Sequence, residues 1–139
     1  MAVPDRQFEI IYSHSVITHL NDALVRGFLN FCGEVLIPGG LLVFSFNGRF
    51  AFSRDIENIL KHGASFLEVV SRMEKVNSQG YLSFDKSYDS TIGLPSFYQN
   101  TFHKLDYLQS LLSPRFEVMA FYPCADLGWQ DVIVARKLS

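Results

Sequence analysis

Two short polar segments stand at the carboxyl ends of apolar runs. Residues 13–15, Ser-His-Ser, close the run 8–13, and residues 47–49, Asn-Gly-Arg, follow the run 41–46. Open α/β sheets bind their ligands at the carboxyl ends of the strands. The hydroxyl, imidazole, amide and guanidinium groups of both segments therefore indicate a ligand site. Plain turns, in which the side chains satisfy backbone groups, are the alternative interpretation.

Three further side chains have the chemistry of a general base or of a group that holds a substrate oxygen or nitrogen. His103 and Tyr98 lie in or beside a polar and aromatic stretch, and either could take that role. His19 precedes a predicted helix, where its imidazole can orient the loop, touch a ligand or bond to the backbone. His62 and Cys32 are predicted to be structural, one beside Gly63 at a helix end and the other on an apolar helix face.

A β-α-β unit is predicted to position the two polar segments. Residues 8–13 and 41–46 are short, strongly apolar runs that are typical of buried strands. A helix is predicted between these two strands. Asn21 and Asp22 supply its N-cap chemistry, and Pro38-Gly39-Gly40 ends it. The helical face consists of Leu24, Val25, Phe28, Leu29, Cys32, Val35 and Leu36. A helical connection of this length predicts parallel neighbouring strands and a right-handed crossover.

The rest of the chain predicts further helices, a loop and a hairpin. One or two helices are expected between residues 52 and 76, and residues 77–100, rich in Ser, Gly, Asp and Tyr, predict an ordered loop over the site. Thr101 is expected to cap a helix that Ser113-Pro114 ends. Residues 116–122 and 131–137 predict an antiparallel pair. Five aromatic residues of the middle region could shape a substrate pocket or form ordinary core: Tyr81, Phe84, Tyr88, Phe97 and Phe102.

Composition narrows the function classes. The 139 residues form one expected domain, 1–139, with a net charge of -2, so no basic field favours nucleic acid. No apolar run approaches the roughly 20 residues of a membrane span, and the N-terminus does not resemble a secretory signal. Two cysteines predict neither a disulfide framework nor a zinc site. We expect a cytoplasmic protein.

The motifs of several common enzyme classes are not in the sequence. It contains no G-x-S-x-G, H-E-x-x-H or C-x-x-C motif and no Walker-type loop. Hydrolase, zinc-enzyme and nucleotide-hydrolysing interpretations therefore lose their usual support.

Two stretches resemble the class I S-adenosylmethionine-dependent methyltransferases. Residues 8–20, FEIIYSHSVITHL, are similar to that family's fourth strand and loop, fD-x-I-x-s-x-S-V-x-x-H-L. Residues 34–44, EVLIPGGLLVF, resemble the end of its next helix, v-L-x-P-G-G, and its fifth strand. The ending 128–137, GWQDVIVARK, looks like members of the general methyltransferase-domain group. The resemblance covers nearly the whole chain and is weakest from residue 49 to residue 100.

The resemblance implies a Rossmann-like α/β fold with a mixed, mostly parallel sheet and a C-terminal antiparallel hairpin. It also implies S-adenosylmethionine as the cofactor and assigns roles to residues. Tyr12, Ser13, His14, Ser15 and His19 would belong to the cofactor loop. Asn47 and Arg49 would face the substrate, and His103 and Tyr98 would be the catalytic candidates.

The departure from the family concerns the cofactor's main cradle. The family's first three strands, with a Gly-rich turn and a ribose-binding acidic residue, would lie before residue 1, and no G-x-G-x-G occurs in the sequence. The chain therefore resembles the C-terminal half of a methyltransferase domain. A truncated product, an excised fragment and one half of a split protein all fit this pattern.

Two functions follow from these observations. The first is methyl transfer from S-adenosylmethionine to an oxygen, nitrogen or carbon of a small molecule. Because the cofactor brings an activated leaving group, positioning and desolvation can suffice and a base is optional. The second is a non-catalytic interaction module. The strand 8–13 would be a sheet edge although Ile10, Ile11 and Tyr12 are apolar, so pairing with a second copy or a partner chain, or else poor solubility, is expected.

Overall fold

The structure is a computed structural model that describes residues 7–85 and 98–139. Its strands are β1 (Phe8–Ser13), β2 (Leu36–Phe46), β3 (Tyr81–Asp85), β4 (Gln99–His103), β5 (Phe116–Asp126) and β6 (Gln130–Lys137). Its helices are α1 (Asp22–Val35), α2 (Arg49–Lys61), α3 (Phe66–Gln79) and α4 (Leu105–Leu112), and a 3₁₀ turn spans Ile17–His19. None of these described helices is both long and apolar enough to cross a membrane.

The main sheet has four strands in the order β1-β2-β6-β5. β1 pairs in parallel with β2, and β6 runs antiparallel to both β2 and β5. The α/β class, the parallel pair joined by α1 and the C-terminal hairpin are confirmed. The prediction of a mostly parallel sheet is wrong for the described residues, because two of the three pairings in this sheet are antiparallel.

Helix α1 begins where its N-cap predicts, but it ends at Val35, so Leu36 of the predicted helical face and the predicted stop Pro38-Gly39-Gly40 belong to β2. The Asn21 side chain accepts a hydrogen bond from the Leu24 backbone N–H at 3.0 Å. The buried stripe of α1 includes Val25, Leu29 and Cys32, and burial raises the pKa of the Cys32 thiol to about 12. Such a thiol is not reactive, so its predicted structural role fits its position.

Strand β2 begins at Leu36, earlier than the predicted residue 41. Its first residues bulge against β1, because Phe8 pairs with Leu36 whereas Ile10 already pairs with Leu41. A β-carbon at Gly40 would lie 3.0 Å from the Glu9 carbonyl oxygen. Glycine is therefore required for this close approach of the two backbones.

The hydrophobic core lies between one face of the main sheet and the helices α1 and α4. Its fully buried members include Leu42, Phe44 and Phe46 of β2, Leu108 of α4 and Ile133 of β6. Burial of each of these side chains stabilises the fold by roughly 1.5–3 kcal/mol. The core thus fixes the positions of the strand ends at which the polar segments lie.

The other face of β1 is open. Side chains alternate across a strand, so Ile10 and Tyr12 point away from the core that Ile11 joins. Ile10 and Tyr12 are 61% and 68% exposed, and Phe8 is also exposed. β1 is an edge strand in the described sheet, as expected, but the prediction that it is buried is wrong for every residue except Ser13.

The segment between β2 and α4 contains two helices and a small hairpin. α2 and α3 confirm the predicted helices with wider bounds. Residues 77–79 belong to α3, and residues 81–85 pair with 99–103 as the antiparallel strands β3 and β4. The predicted loop over residues 77–100 is therefore wrong at both of its ends. Residues 86–97, with Tyr88 and Phe97, lie outside the described part.

Two residues explain why the hairpin forms there. Gly80 ends α3 with a φ of 82°, and a β-carbon on Gly80 would lie 2.6 Å from the Tyr107 side chain. Thr101, expected to cap α4, instead lies buried in β4. Its hydroxyl donates to the Leu20 carbonyl oxygen at 2.8 Å, whereas the N-cap of α4 is Lys104. A β-branched residue suits a strand, and this distant acceptor favours that position.

Candidate functional site

The ends of four strands bring polar residues to one edge of the main sheet. β1 ends at Ser13, β2 is followed by Asn47, β5 ends at Asp126 and β6 begins at Gln130. β1 runs parallel to β2, and β5 runs in the same direction because both β2 and β5 are antiparallel to β6. The β5–β6 turn therefore joins the two predicted polar segments at the edge where open sheets bind ligands.

A hydrogen-bond network, which we call the edge network, consists of Ser15, Thr18, Ser45 and Gln130. The Ser45 hydroxyl accepts from the Ser15 backbone N–H at 2.8 Å and donates to Gln130 Oε1 at 2.7 Å. Gln130 Nε2 donates to Ser15 Oγ at 2.9 Å, and Ser15 Oγ lies 3.1 Å from Thr18 Oγ1. Ser15 has a φ of 54°, which the network holds in place. Its hydroxyl thus fixes the loop that follows β1.

The three predicted cofactor residues before Ser15 have different surroundings. The Ser13 hydroxyl is buried and has no hydrogen-bond partner among the described residues. His14 is partly exposed, and its Nε2 lies 2.8 Å from Asp126 Oδ2. Tyr12 is exposed on the open side of β1. The loop therefore offers one buried, unused hydroxyl and two accessible rings.

His19 and Tyr98 come together although they are far apart in the sequence. Their rings stack with centroids 4.1 Å apart and an interplanar angle of 15°. His19 Nδ1 lies 3.1 Å from the Gln99 carbonyl oxygen, so that nitrogen donates. A predicted cofactor-loop residue thus contacts one of the two predicted catalytic residues.

A polar cavity of about 380 Å³ opens beside this pair. Its lining residues include Thr18, His19, Asn47, Arg54, Asp55, Glu57, Lys61, Asn100, Phe102, Trp129 and Gln130. The Arg54 guanidinium lies over the Trp129 ring at 5.8 Å, and Trp129 meets Phe50 edge-on at 6.3 Å. The cavity therefore combines charged groups of both signs with a polarised aromatic wall.

Asn47 attaches the small hairpin to the end of β2. Its side-chain Nδ2 donates to the Thr101 carbonyl oxygen at 3.2 Å, and its own carbonyl oxygen accepts from the His103 N–H at 2.9 Å. Asn47 also forms a parallel bridge with Phe102. This predicted substrate residue is buried and lines the polar cavity, and it also positions β4.

A second, apolar cavity of about 880 Å³ lies against the opposite side of α2. Its lining includes Phe52, Ile56, Met73, Val76, Phe102, Leu105 and Phe121, with Arg49, Lys104, Asp106 and Asp131 among its polar members. Phe102 lines both cavities, and it meets Phe52 edge-on at 5.5 Å. Arg49, the other predicted substrate residue, thus belongs to the apolar cavity and Asn47 to the polar one.

His103 lines the wall of the apolar cavity and is only 2% exposed. Neither of its ring nitrogens has a hydrogen-bond partner among the described residues. Burial lowers its pKa to about 4, although the charge of Asp22 acts in the opposite direction. The imidazole is therefore neutral at pH 7. A buried polar group without a partner costs about 1–3 kcal/mol of stability. The two predicted catalytic residues are therefore not brought together. His103 lies at the apolar cavity, whereas Tyr98 stacks on His19 beside the polar cavity.

Sequence reasoning missed the groups supplied by the β5–β6 turn. In the sequence, Gln130, Trp129 and Asp126 lie in the connection between two predicted strands. The available signal was topological: a β-hairpin that adds to a parallel pair can return its turn to the ligand-binding edge. The buried Asp131 beside this turn accepts from the Cys124 N–H at 2.9 Å, and burial raises its pKa, an effect that this hydrogen bond opposes.

Comparisons with known proteins show the fold. No family model and no curated protein matches the chain. Among solved structures, a SAM-dependent methyltransferase from Methanosarcina mazei aligns with 99% of the chain at 19% identity and a TM-score of 0.57. The glycopeptide N-methyltransferase MtfA complexed with S-adenosylmethionine aligns with 98% of the chain at 17% identity and a TM-score of 0.55. The PH0226 protein from Pyrococcus horikoshii OT3 aligns with 96% of the chain at 14% identity and a TM-score of 0.56.

The chain covers 63%, 56% and 53% of these three structures, respectively. It therefore has the fold of the class I S-adenosylmethionine-dependent methyltransferases over a little more than half of their length. MtfA has also been crystallised with sinefungin and with S-adenosylhomocysteine.

Proposed function

We propose that the chain takes part in methyl transfer from S-adenosylmethionine to an oxygen, nitrogen or carbon of a small molecule. The observation that carries the proposal is the sheet edge at the end of β1, where the buried Ser13 hydroxyl has no described partner. The fold shared with methyltransferases supports this assignment. A cytoplasmic location remains a prediction.

The cofactor would lie against the loop after β1. Ser13 would hydrogen bond to it, Tyr12 and His14 would contact it from the accessible side, and Ser15 would keep the loop in shape through the edge network. His19, stacked on Tyr98, would form the far wall. When bound, S-adenosylmethionine supplies a methyl group on a positively charged sulfur, which is already an activated leaving group.

These residues provide one side of a cofactor site. The sequence contains no Gly-rich turn for close approach to the cofactor. We therefore propose that a polypeptide equivalent to the first three strands of the family supplies the other side. In the aligned structures, 37 to 47% of the length has no counterpart in this chain.

The acceptor would lie between the residues that follow β2. Asn47 would contact it from the polar cavity and Arg49 from the apolar cavity. His103, with its neutral imidazole, or Tyr98 would take a proton from the acceptor or hold its reacting atom. Methyl transfer is an in-line displacement, so the main task of these groups is to orient the acceptor and exclude water.

Calorimetric titration of S-adenosylhomocysteine into the chain tests the proposal. We expect saturable binding that weakens about tenfold in Ser13→Ala, which removes the hydroxyl and leaves the rest of the side chain. Ser78→Ala, on the exposed side of α3, is the matched control and should bind like the wild type. Binding that is unchanged in Ser13→Ala would contradict the assignment of Ser13 to the cofactor site, and a folded chain without saturable binding would show that these residues do not hold the cofactor without the second polypeptide.

A second candidate function is supported by the open edge of β1. We propose that a second copy of the chain or a partner polypeptide pairs with this edge and covers Ile10 and Tyr12, because an apolar strand whose outer edge has no partner in the described sheet favours association. Light scattering should give a mass above 15.8 kDa for the wild type and 15.8 kDa for Ile10→Lys/Tyr12→Lys. Met119→Lys, on the opposite edge strand, should leave the mass unchanged. A wild-type monomer at high concentration would count against self-association.

A further inference from the structure

We infer that the apolar cavity binds a carboxylate with an aromatic body, whose charged end contacts Arg49 and whose ring lies among the apolar side chains. This is a statement about binding, and it rests on the cavity and on Arg49 alone. Only a role of this ligand as the methyl acceptor would rest on the proposed function.

The size and lining of the cavity favour a ligand with a ring. Its volume of about 880 Å³ lies in the usual range for small-molecule sites. Phe52, Phe102 and Phe121 line it, and Ile56 and Val76 add aliphatic surface. An aromatic ligand can meet these rings edge-on or in an offset stack, as Phe52 and Phe102 already meet each other with centroids 5.5 Å apart.

Arg49 explains why the ligand should carry a carboxylate. It is the first residue of α2, lines the cavity and is exposed to solvent. Its guanidinium forms no ion pair or hydrogen bond with any residue in 7–85 or 98–139. An accessible guanidinium can bind a carboxylate through two parallel N–H···O bonds. The head group of the ligand is therefore an anion of this shape.

The other charged residues of the described lining already have partners. Lys104 Nζ lies 3.4 Å from Asp106 Oδ2. Asp131 is buried and lies against Gly48, the N-cap residue of α2, where the positive end of the helix favours a carboxylate. The Arg49 guanidinium is thus the charged group of the described lining that remains for a ligand.

The exposure of Arg49 matters because a carboxylate is costly to bury. Complete removal of an ion pair from water can cost more free energy than the attraction between its charges returns. Arg49 is exposed, whereas Val76 and Phe102 are buried, so a ligand can keep its head group partly hydrated while its ring leaves water. The cavity therefore favours an amphipathic acid over a small inorganic anion.

Equilibrium dialysis with 1-naphthaleneacetate and its uncharged amide, 1-naphthaleneacetamide, tests the inference without any cofactor. The two probes have the same ring and differ at pH 7 in the charge of the head group. We expect the wild type to bind the acid about fivefold more tightly than the amide. Arg49→Gln should reduce the affinity for the acid to that for the amide. Lys75→Gln removes an exposed positive charge of α3 outside the described lining, and as the matched control it should keep the preference.

Two further variants test where the probes bind. Met73→Trp, at a half-exposed position in the lining, should fill the apolar cavity and weaken the binding of both probes at least about tenfold. Asn58→Trp fills the polar cavity instead and should leave both affinities unchanged.

The outcomes separate this inference from the proposed function. Equal wild-type affinities for acid and amide, no binding of either probe, or binding blocked by Asn58→Trp rather than Met73→Trp would overturn the inference. So would a preference that survives Arg49→Gln, or one that Lys75→Gln removes equally, since the latter is a general effect of charge. A chain that binds the acid but not S-adenosylhomocysteine keeps the acid site whatever the fate of the cofactor site, and the reverse result loses only the acid site.

Discussion

The edge network and the apolar cavity use buried polar groups in opposite ways. In the network, Ser45 and Gln130 bond to each other, to Ser15 and, through Ser15, to Thr18. At the cavity, His103 is as deeply buried as Ser45, and its imidazole nitrogens hydrogen bond to no described residue. A satisfied buried group fixes the backbone, whereas an unsatisfied one lowers stability until a ligand meets it. The comparison separates polar groups that hold the backbone in place from a polar group that the described residues leave without a partner.

The largest expected effect is a loss of stability at low pH, and it comes from the buried imidazole of His103. The pKa of His103 is about 4 in the folded chain and about 6.5 when the chain unfolds, so the unfolded state binds more protons between these values. The free energy of unfolding is therefore unaffected by His103 protonation above pH 6.5, and it decreases as the pH falls toward 4. We expect a loss of about 1.4 kcal/mol per pH unit, or about 3 kcal/mol in all.

Urea denaturation of the wild type and of His103→Leu over this pH range measures the effect. The carboxylates titrate similarly in both proteins, so the difference between the two curves isolates His103. Curves that stay parallel from pH 4 to pH 6.5 would show that His103 is not a buried neutral imidazole, and the contrast between the two regions would fail.

A smaller loss of stability is expected when hydrogen bonds of the edge network are removed. Gln130→Leu removes the partner of Ser45 and one partner of Ser15, leaving two buried or half-buried hydroxyls with fewer bonds. We expect a decrease of about 2 kcal/mol in the free energy of unfolding, measured in urea. Gln109→Leu, on the exposed side of α4, should change it by less than about 0.5 kcal/mol. Equal effects of both substitutions would mean that the network adds nothing to the fold.

The smallest expected effect compares two buried serines. Ser45→Ala removes a hydroxyl with two bonds and should lower the free energy of unfolding by about 1 kcal/mol. Ser13→Ala removes the desolvation cost of a hydroxyl without a described partner together with a small packed volume, and these opposing effects should keep the change within about 0.5 kcal/mol. Thermal or urea unfolding of the two variants sharpens the comparison. A larger loss in Ser13→Ala than in Ser45→Ala would reverse it.

The elements predicted correctly are those with strong local signals. α1 has a cap at Asn21 and a regular apolar stripe, and β5 and β6 have apolar residues in strand patterns. The β3–β4 hairpin was missed because β4 is mostly polar and 13 residues separate the two strands in sequence. Thr101 suits both a cap and a strand, and only its bond to Leu20, 81 residues away, decides between them.

The sequence predicts where the site lies, but it does not predict the hydrogen bonds within the site or the burial of its side chains. The polar residues at the ends of β1 and β2 follow from the strand pattern, and they lie at the sheet edge as expected. Ser15 and Gln130 are 115 residues apart, so their hydrogen bond depends on the strand order of the folded sheet. The burial of His103 likewise depends on packing around β4 that no local pattern indicates.

Phe102 lies between the two cavities and is the residue through which they can be coupled. Its ring forms part of the wall of both, and its backbone is joined to Asn47 at the end of β2. A ligand that displaces this ring from one cavity changes the space in the other. Reciprocity then requires that each ligand alter the affinity of its neighbour by the same factor. If Phe102 moves in this way, a ligand bound in one cavity would be detected as a change in the affinity of the other cavity for its own ligand.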